Sequence, residues 1–258
     1  AYDSINNGIW IGSNLGLYFR DLKTGRITEP FKGAADGVPG TLGIAIDKKG
    51  HLWVGSLNGV YDIVLNERKP DGTFTYRHIN HKLNDPNSKA CDKISSIYMS
   101  ADGSMWFGTN GNGIYRRVTD ENGEKFVNYT TDEGMPSDIV NGILEDNDGY
   151  MWISTANGLA RLNPGDGSFI NYDRTDGLTN DQFYWNATCR LSDGRLLFGT
   201  VDGLIKLDGV VKKPKEPHYP VYFTSLSVAN EPVYAGSKIT PLDISSTKHI
   251  TIHERDKS

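Results

Sequence analysis

The chain of 258 residues has only two cysteines, Cys91 and Cys189, too few for a disulfide framework. It has no apolar run near the ~18 residues that a membrane helix needs. Its opening, Ala1-Tyr2-Asp3-Ser4, lacks the pattern of a secretory leader, which leaves open a cytosolic chain or one whose leader has been removed. It has no excess of positive charge: 27 Lys and Arg stand against 32 Asp and Glu, for a net charge of −5. Nucleic-acid binding needs a basic face, so no nucleic-acid partner is expected. Neither a G-x-S-x-G nucleophile elbow nor a phosphate-binding P-loop is present. The acidic residues fall mostly in turns, so no glycosidase pair of acid and nucleophile can be nominated.

What is present is glycine, at 29 residues against a usual share of about 7%. Aromatic residues make up 10% and hydrophobic residues 37%, a composition suited to short strands, tight turns and a packed core. An internal repeat organises them. The segments Ile9-Trp10-Ile11-Gly12-Ser13, Leu52-Trp53-Val54-Gly55-Ser56, Met105-Trp106-Phe107-Gly108-Thr109, Met151-Trp152-Ile153-Ser154-Thr155 and Leu196-Leu197-Phe198-Gly199-Thr200 align. Their anchors at 10, 53, 106, 152 and 197 are spaced by 43, 53, 46 and 45 residues. Periods of about 40–50 residues predict propeller blades of four strands each.

Each unit repeats one grammar. An apolar strand such as 43–46 or 139–144 is followed by an Asp-rich turn ending in glycine, at 47–50, 102–103, 146–149 and 193–194. The Trp-bearing strand follows. A second turn, Asn58-Gly59, Asn112-Gly113, Asn157-Gly158 or Asp202-Gly203, leads to a third strand. A polar strand with alternating aromatics closes the unit, at 74–79, 126–129 and 169–172. Trp10, Trp53, Trp106 and Trp152 are expected to pack between blades rather than contact a ligand. The glycine two residues after each fits close backbone approach, and Ser154 in its place predicts a small packing difference in the fourth unit.

The pattern Asp-x-x-Gly-x-Leu-Trp-x-Gly-Thr-x-x-Gly-Leu resembles the two-component regulator propeller repeat, over residues ~9–207. The run Asp176-Gly177-Leu178-Thr179-Asn180-Asp181-Gln182-Phe183, continuing to Asn186-Ala187 and to Asp193-Gly194-Arg195-Leu196, resembles the last blade of that family. The resemblance implies the periplasmic sensor region of a hybrid two-component system of gut Bacteroidetes. Such ectodomains are homodimeric, bind glycan-derived oligosaccharides and signal to a histidine kinase and a DNA-binding regulator of polysaccharide-utilisation genes. The expected fold is all-β: about five blades of a seven-bladed ring over residues 1–211, a Lys/Pro linker over 212–220, and at 221–258 the opening of a three-Y β-sandwich. With its first inner strand falling at residues ~1–3 and its last blade lacking a fourth strand, the chain is expected to depend on upstream blades or on another copy.

The resemblance also directs the choice of site. Loops preceding the inner strands are expected to form the sugar-contacting face, with Tyr184, Trp185 and Asn186 foremost and Gln182 and Asp181 secondary, because aromatic faces stack on sugars and amides bond their hydroxyls. Two other readings stay open. One is a propeller enzyme, a metal-dependent lactonase or a lyase, which needs carboxylates and asparagines converging on the central channel. The other is a protein-interaction scaffold. His78-x-x-His81 and His249-x-x-x-His253 lack a third ligand nearby, and neither cofactor nor metal is expected. Both cysteines are expected to be free, with Cys189 buried on an inner strand.

Overall fold

In a computed structural model, residues 1–32, 37–79, 93–121, 123–208, 224–237, 239, 243–246 and 250 are described. Residues 1–212 form one compact unit and 213–258 another. The first unit is a stack of five antiparallel blades. Blade 1 is β1 (Tyr2–Asp3), β2 (Gly8–Ser13), β3 (Gly16–Asp21) and β4 (Ile27–Thr28). Blade 2 is β5 (Thr41–Ile46), β6 (His51–Ser56), β7 (Gly59–Arg68) and β8 (Phe74–Ile79). Blade 3 is β9 (Ile94–Met99), β10 (Met105–Thr109), β11 (Ile114–Asp120) and β12 (Gly123–Tyr129). Blade 4 is β13 (Val140–Glu145), β14 (Met151–Thr155), β15 (Gly158–Leu162) and β16 (Phe169–Tyr172). Blade 5 has three described strands, β17 (Phe183–Arg190), β18 (Leu196–Thr200) and β19 (Leu204–Leu207). Among the described residues helix is confined to single 3-10 turns at Thr131–Glu133, Arg174–Asp176 and Ile244–Ser246. In the second unit, β20 (Ser227–Val228) pairs with β21 (Glu231–Pro232) through Ala229 and Asn230, both at positive φ, as a type I′ hairpin turn requires. Of the segment 221–258 expected to open a β-sandwich, residues 221–223, 238, 240–242, 247–249 and 251–258 lie outside the described residues.

Four apolar clusters hold the stack together, one at each junction of consecutive blades. Trp10, Trp53, Trp106 and Trp152 are each buried in a junction, so packing accounts for the repeated tryptophan. A buried indole N–H needs an acceptor, and the turn before it supplies one. Trp10 donates to Asp3 Oδ2 at 3.0 Å, Trp53 to Asp47 Oδ2 at 3.0 Å and Trp152 to Asp146 Oδ2 at 2.9 Å. In blade 3 the acceptor is Ser100 Oγ, at 3.3 Å from Trp106 Nε1. In blade 5 leucines stand at both places, Leu191 and Leu197. Arginines cover three of the rings: Arg117 lies 4.7 Å from Trp53, Arg116 5.2 Å from Trp106 and Arg161 5.7 Å from Trp152, in cation–π contact.

The glycine of the second strand is where the next blade docks. A Cβ on Gly12, Gly55 or Gly108 would come within 3.0 Å of Thr41, Ile94 or Val140, which stand at the start of the following inner strand. In blade 4 Ser154 takes this place, and its hydroxyl donates to the Gly142 carbonyl of its own blade at 3.4 Å. Cys189 departs from expectation: it lies on β17 but is exposed. Thr188 turns toward Gly142 of blade 4, so its neighbour Cys189 points to the opposite face, which no described residue buries. Cys91 lies outside the described residues.

Candidate ligand-binding groove

The first strands of blades 2 to 5 contact one another from blade to blade, and β17 also reaches β9 two blades away, so these strands are the inner ones. Each inner strand of blades 2 to 4 carries one extra residue in its ladder with the second strand: Leu42, Ser95 and Asn141. Such single-residue bulges bend a strand and re-aim its side chains. Two of them tie blades together. Ser95 Oγ donates to the Val140 carbonyl at 2.5 Å, and Asn141 Nδ2 donates to the Phe183 carbonyl at 2.9 Å. Val140 and Phe183 each begin the next inner strand.

Blade 5 enlarges this device. Phe183 pairs with Thr200 and Thr188 with Phe198, so residues 184–187 all lie opposite Gly199 alone. That bulge is two residues longer than those of blades 2 to 4. The backbone accommodates it at Asn186, whose φ of 52° is a left-handed value that asparagine tolerates better than most residues. The sequence reading placed 181–186 in a loop; the structure corrects this, because residues from Phe183 onward are part of the inner strand and the expulsion of side chains comes from the bulge.

The bulge sorts the five nominated residues. Tyr184 and Trp185 are 59% and 52% exposed. With Gln182 they line an open groove of about 530 Å³, completed by Ile139, Asn141, Ala156, Phe183 and Val201. Phe183, by contrast, is buried in the junction of blades 4 and 5. Asn186 does not line the groove; its Nδ2 donates to the Leu42 carbonyl of blade 2, a strut linking two inner strands. Asp181 lines a neighbouring depression with Asn157, Tyr172 and Arg174, and its carbonyl accepts the Gly158 N–H at 2.8 Å.

Asn141 is the polar groove residue that sequence reasoning missed, beside the apolar Ile139, Ala156 and Val201. It is buried, and because its Nδ2 is committed to the Phe183 carbonyl, its Oδ1 is held as an acceptor without a partner. The signal was its alignment with Ser95 at the bulge, where a polar side chain joins consecutive inner strands.

The groove lining contains no carboxyl group. Elsewhere, every resolved carboxyl shift among the described residues is downward. Asp193 is held below the usual carboxylate range by hydrogen bonds from Arg195. Burial disfavours ionisation of Asp102, but hydrogen bonds from Ser100 and Ser104 with the charge of Arg116 outweigh it. A general acid needs the opposite shift. No cluster of three or more metal-ligating side chains occurs among the described residues. His78 stacks on Tyr61 with ring centres 4.1 Å apart, and its Nε2 bonds the Asn58 carbonyl at 2.6 Å. His81, His249 and His253 lie outside the described residues.

With this geometry in place, comparison with known proteins is informative. The chain carries two-component regulator propeller repeats, matched at residues 88–111 and 134–157. It is 24% identical over 214 residues to histidine kinase P4 of Formosa agariphila, covering 80% of this chain and 15% of that protein. Among solved structures it is similar to the extracellular domain of a hybrid two-component system of B. thetaiotaomicron, with a TM-score of 0.64 and 25% identity over 77% of this chain and 26% of the other. It also shares its fold with an ancestral GH74 enzyme, at a TM-score of 0.53 and 13% identity over 80% of this chain and 30% of the other. The chain thus spans a small part of each of these three proteins. No described helix is long and apolar enough to cross a membrane.

Proposed function

We propose that this chain is part of the periplasmic ectodomain of a hybrid two-component sensor histidine kinase, and that it binds glycan-derived oligosaccharides at the blade 4–blade 5 groove to control polysaccharide-utilisation genes. The observation that carries the ligand reading is the pair of half-exposed aromatic rings, Tyr184 and Trp185, expelled beside Gln182 by the long bulge of β17. Flat aromatic faces stack on the apolar faces of sugar rings, while the amide of Gln182 meets hydroxyls. The repeats and the similarity to a sensor extracellular domain support the signalling role. The fold shared with a GH74 enzyme does not favour catalysis, since folds host many functions and the groove offers no carboxyl group. In this reading the signal leaves through a three-Y domain beginning near residue 221, toward a kinase in a homodimer.

The test is calorimetry of the chain against a panel of glycan-derived oligosaccharides, with product analysis for turnover. One class is expected to bind without being cleaved. Trp185→Ala should weaken that binding by about 1–3 kcal/mol, the range for base–aromatic stacking. Its melting temperature should stay close to that of the parent, because the ring is half exposed. Unchanged affinity in the folded variant removes Trp185 from the site, and cleavage dependent on a residue of this chain overturns the sensor reading.

A further inference from the structure

The groove between blades 4 and 5 is uncharged, and its two sides differ in character. Blade 4 contributes the aliphatic Ile139 and Ala156; blade 5 contributes the rings of Tyr184 and Trp185 with Gln182 and Val201. Each side is pinned by a backbone bond: the Ala156 N–H donates to the Ile139 carbonyl at 3.0 Å, and the Val201 N–H to the Gln182 carbonyl at 3.2 Å. The Asn141–Phe183 bond joins the two sides. Among the lining side chains only Tyr184 can ionise, and a phenol is neutral near pH 7. A uronic acid, a sulfated sugar or a free amino sugar would therefore meet no counter-ion there while losing part of its hydration. A plain hexose fits no better, because the side chains of Ile139, Ala156 and Val201 offer its hydroxyls no hydrogen bond. Two polar groups remain uncommitted. Gln182 is exposed, and its side-chain amide bonds no described residue. Asn141 Oδ1, a buried acceptor, has no partner either, so this side of the groove favours a ligand that brings a donor.

We propose that the sugar unit seated in this groove is an uncharged N-acetylated amino sugar. The proposal rests on the reading of the groove as an oligosaccharide site and narrows it to one substrate class. The acetamido group matches the lining part by part. Its methyl lies against Ile139, Ala156 and Val201, so that apolar surface leaves water on both partners. Its amide is trans, so the N–H and the carbonyl point opposite ways and need partners on opposite sides. On the blade 5 side the Gln182 amide donates to the carbonyl. On the blade 4 side the N–H faces Asn141, whose Oδ1 can only accept because its Nδ2 is committed to Phe183. A hydroxyl in place of the acetamido group supplies neither the methyl nor the carbonyl, and a free amine adds a charge that nothing in the lining balances.

Calorimetry and saturation-transfer NMR of the chain test this with sugar pairs that differ in carrying an acetamido group or a hydroxyl: N,N′-diacetylchitobiose against cellobiose, N-acetyllactosamine against lactose, and N-acetylgalactosamine against galactose. Chitobiose with free amines and glucuronic acid supply the charged forms. In at least one pair the N-acetylated member is expected to bind about ten-fold tighter, the order set by one buried methyl and one hydrogen bond. Its acetyl methyl protons should receive the strongest saturation. Val201→Asp, at a residue 45% exposed, should cut that preference several-fold without lowering the melting temperature. Gln182→Glu, which keeps the size of the side chain but loses its donor, should do the same. If hexoses or charged sugars bind as tightly as the N-acetylated ones, and Trp185→Ala weakens them, this inference falls and the oligosaccharide reading is left intact. If no saccharide binds, both fall. An N-acetyl preference that survives both variants puts the acetamido group elsewhere and overturns the assignment.

Discussion

The pairing of a buried tryptophan with a turn aspartate can be weighed by a double-mutant cycle in blade 2. Asp47 Oδ2 accepts the Trp53 indole N–H at 3.0 Å, and its Oδ1 accepts the Lys49 and His51 backbone N–H groups at 2.9 Å each. Asp47→Ala strands the indole N–H of a fully buried ring, at about 1–3 kcal/mol. The two backbone donors lie at the surface end of the turn and can turn to water, so each adds about 0.5 kcal/mol. The total is about 2–4 kcal/mol. Trp53→Leu removes most of a ring packed against Phe107 at 5.8 Å and Arg117 at 4.7 Å, and about 3 kcal/mol is expected from the loss of buried volume. The double variant resembles blade 5, where leucines occupy both positions, and no stranded donor remains in it. Its loss should fall short of the sum of the singles by about 1–2 kcal/mol. Equilibrium urea denaturation followed by far-UV circular dichroism reads each term: with a slope of ~3 kcal/mol per molar, 3 kcal/mol moves the midpoint by about 1 M. Additivity within about 0.5 kcal/mol would refute the claim that the carboxylate is there to satisfy the indole.

Further outcomes follow from Glu124 and from two glycines, all in blade 3. Burial disfavours ionisation of Glu124, but hydrogen bonds and charge from Arg117 and Arg77, at 3.2 and 2.9 Å, outweigh it and hold its carboxyl below the usual glutamate range. The folded state therefore binds fewer protons than the unfolded one, so this contribution is present above pH about 4.5 and is lost as pH falls through the lower folded value. Glu124→Gln should flatten that part of a stability profile, and a profile unchanged by the substitution would exclude the clamp. Gly108→Ala should cost about 1–3 kcal/mol by overpacking, because the added methyl meets Ser96 and Val140. Gly103→Ala, with nothing within 4 Å but a φ of 85°, should cost about 1–2 kcal/mol through backbone strain alone; thermal melts of the two should differ in the rescue of Gly108→Ala by Val140→Ala.

Much of the blade grammar was legible because it is local. The strands 74–79 and 169–172 fall where the alternation put them, and the Asp–Gly turns connect first strands to second. The candidate site was legible only in part. Tyr184, Trp185 and Gln182 share a groove, but Asn186 became a strut to Leu42 and Asp181 turned to another depression. Alternation along a strand places residues 184–186 on two faces, and nothing local states that four residues oppose one. That count depends on how β17 pairs with β18.

By itself the sequence determined the repeat, the order of strands within each blade and the burial of four tryptophans, since each follows from spacing, turn chemistry and the recurrence of tryptophan at one strand position. Only the tertiary structure decided which residues of the last inner strand reach solvent and why Cys189 and Leu204 are exposed. These depend on neighbours distant in sequence: Leu42 lies 144 residues from Asn186, and Leu204 differs from Leu159 not in kind but in whether another blade packs against it.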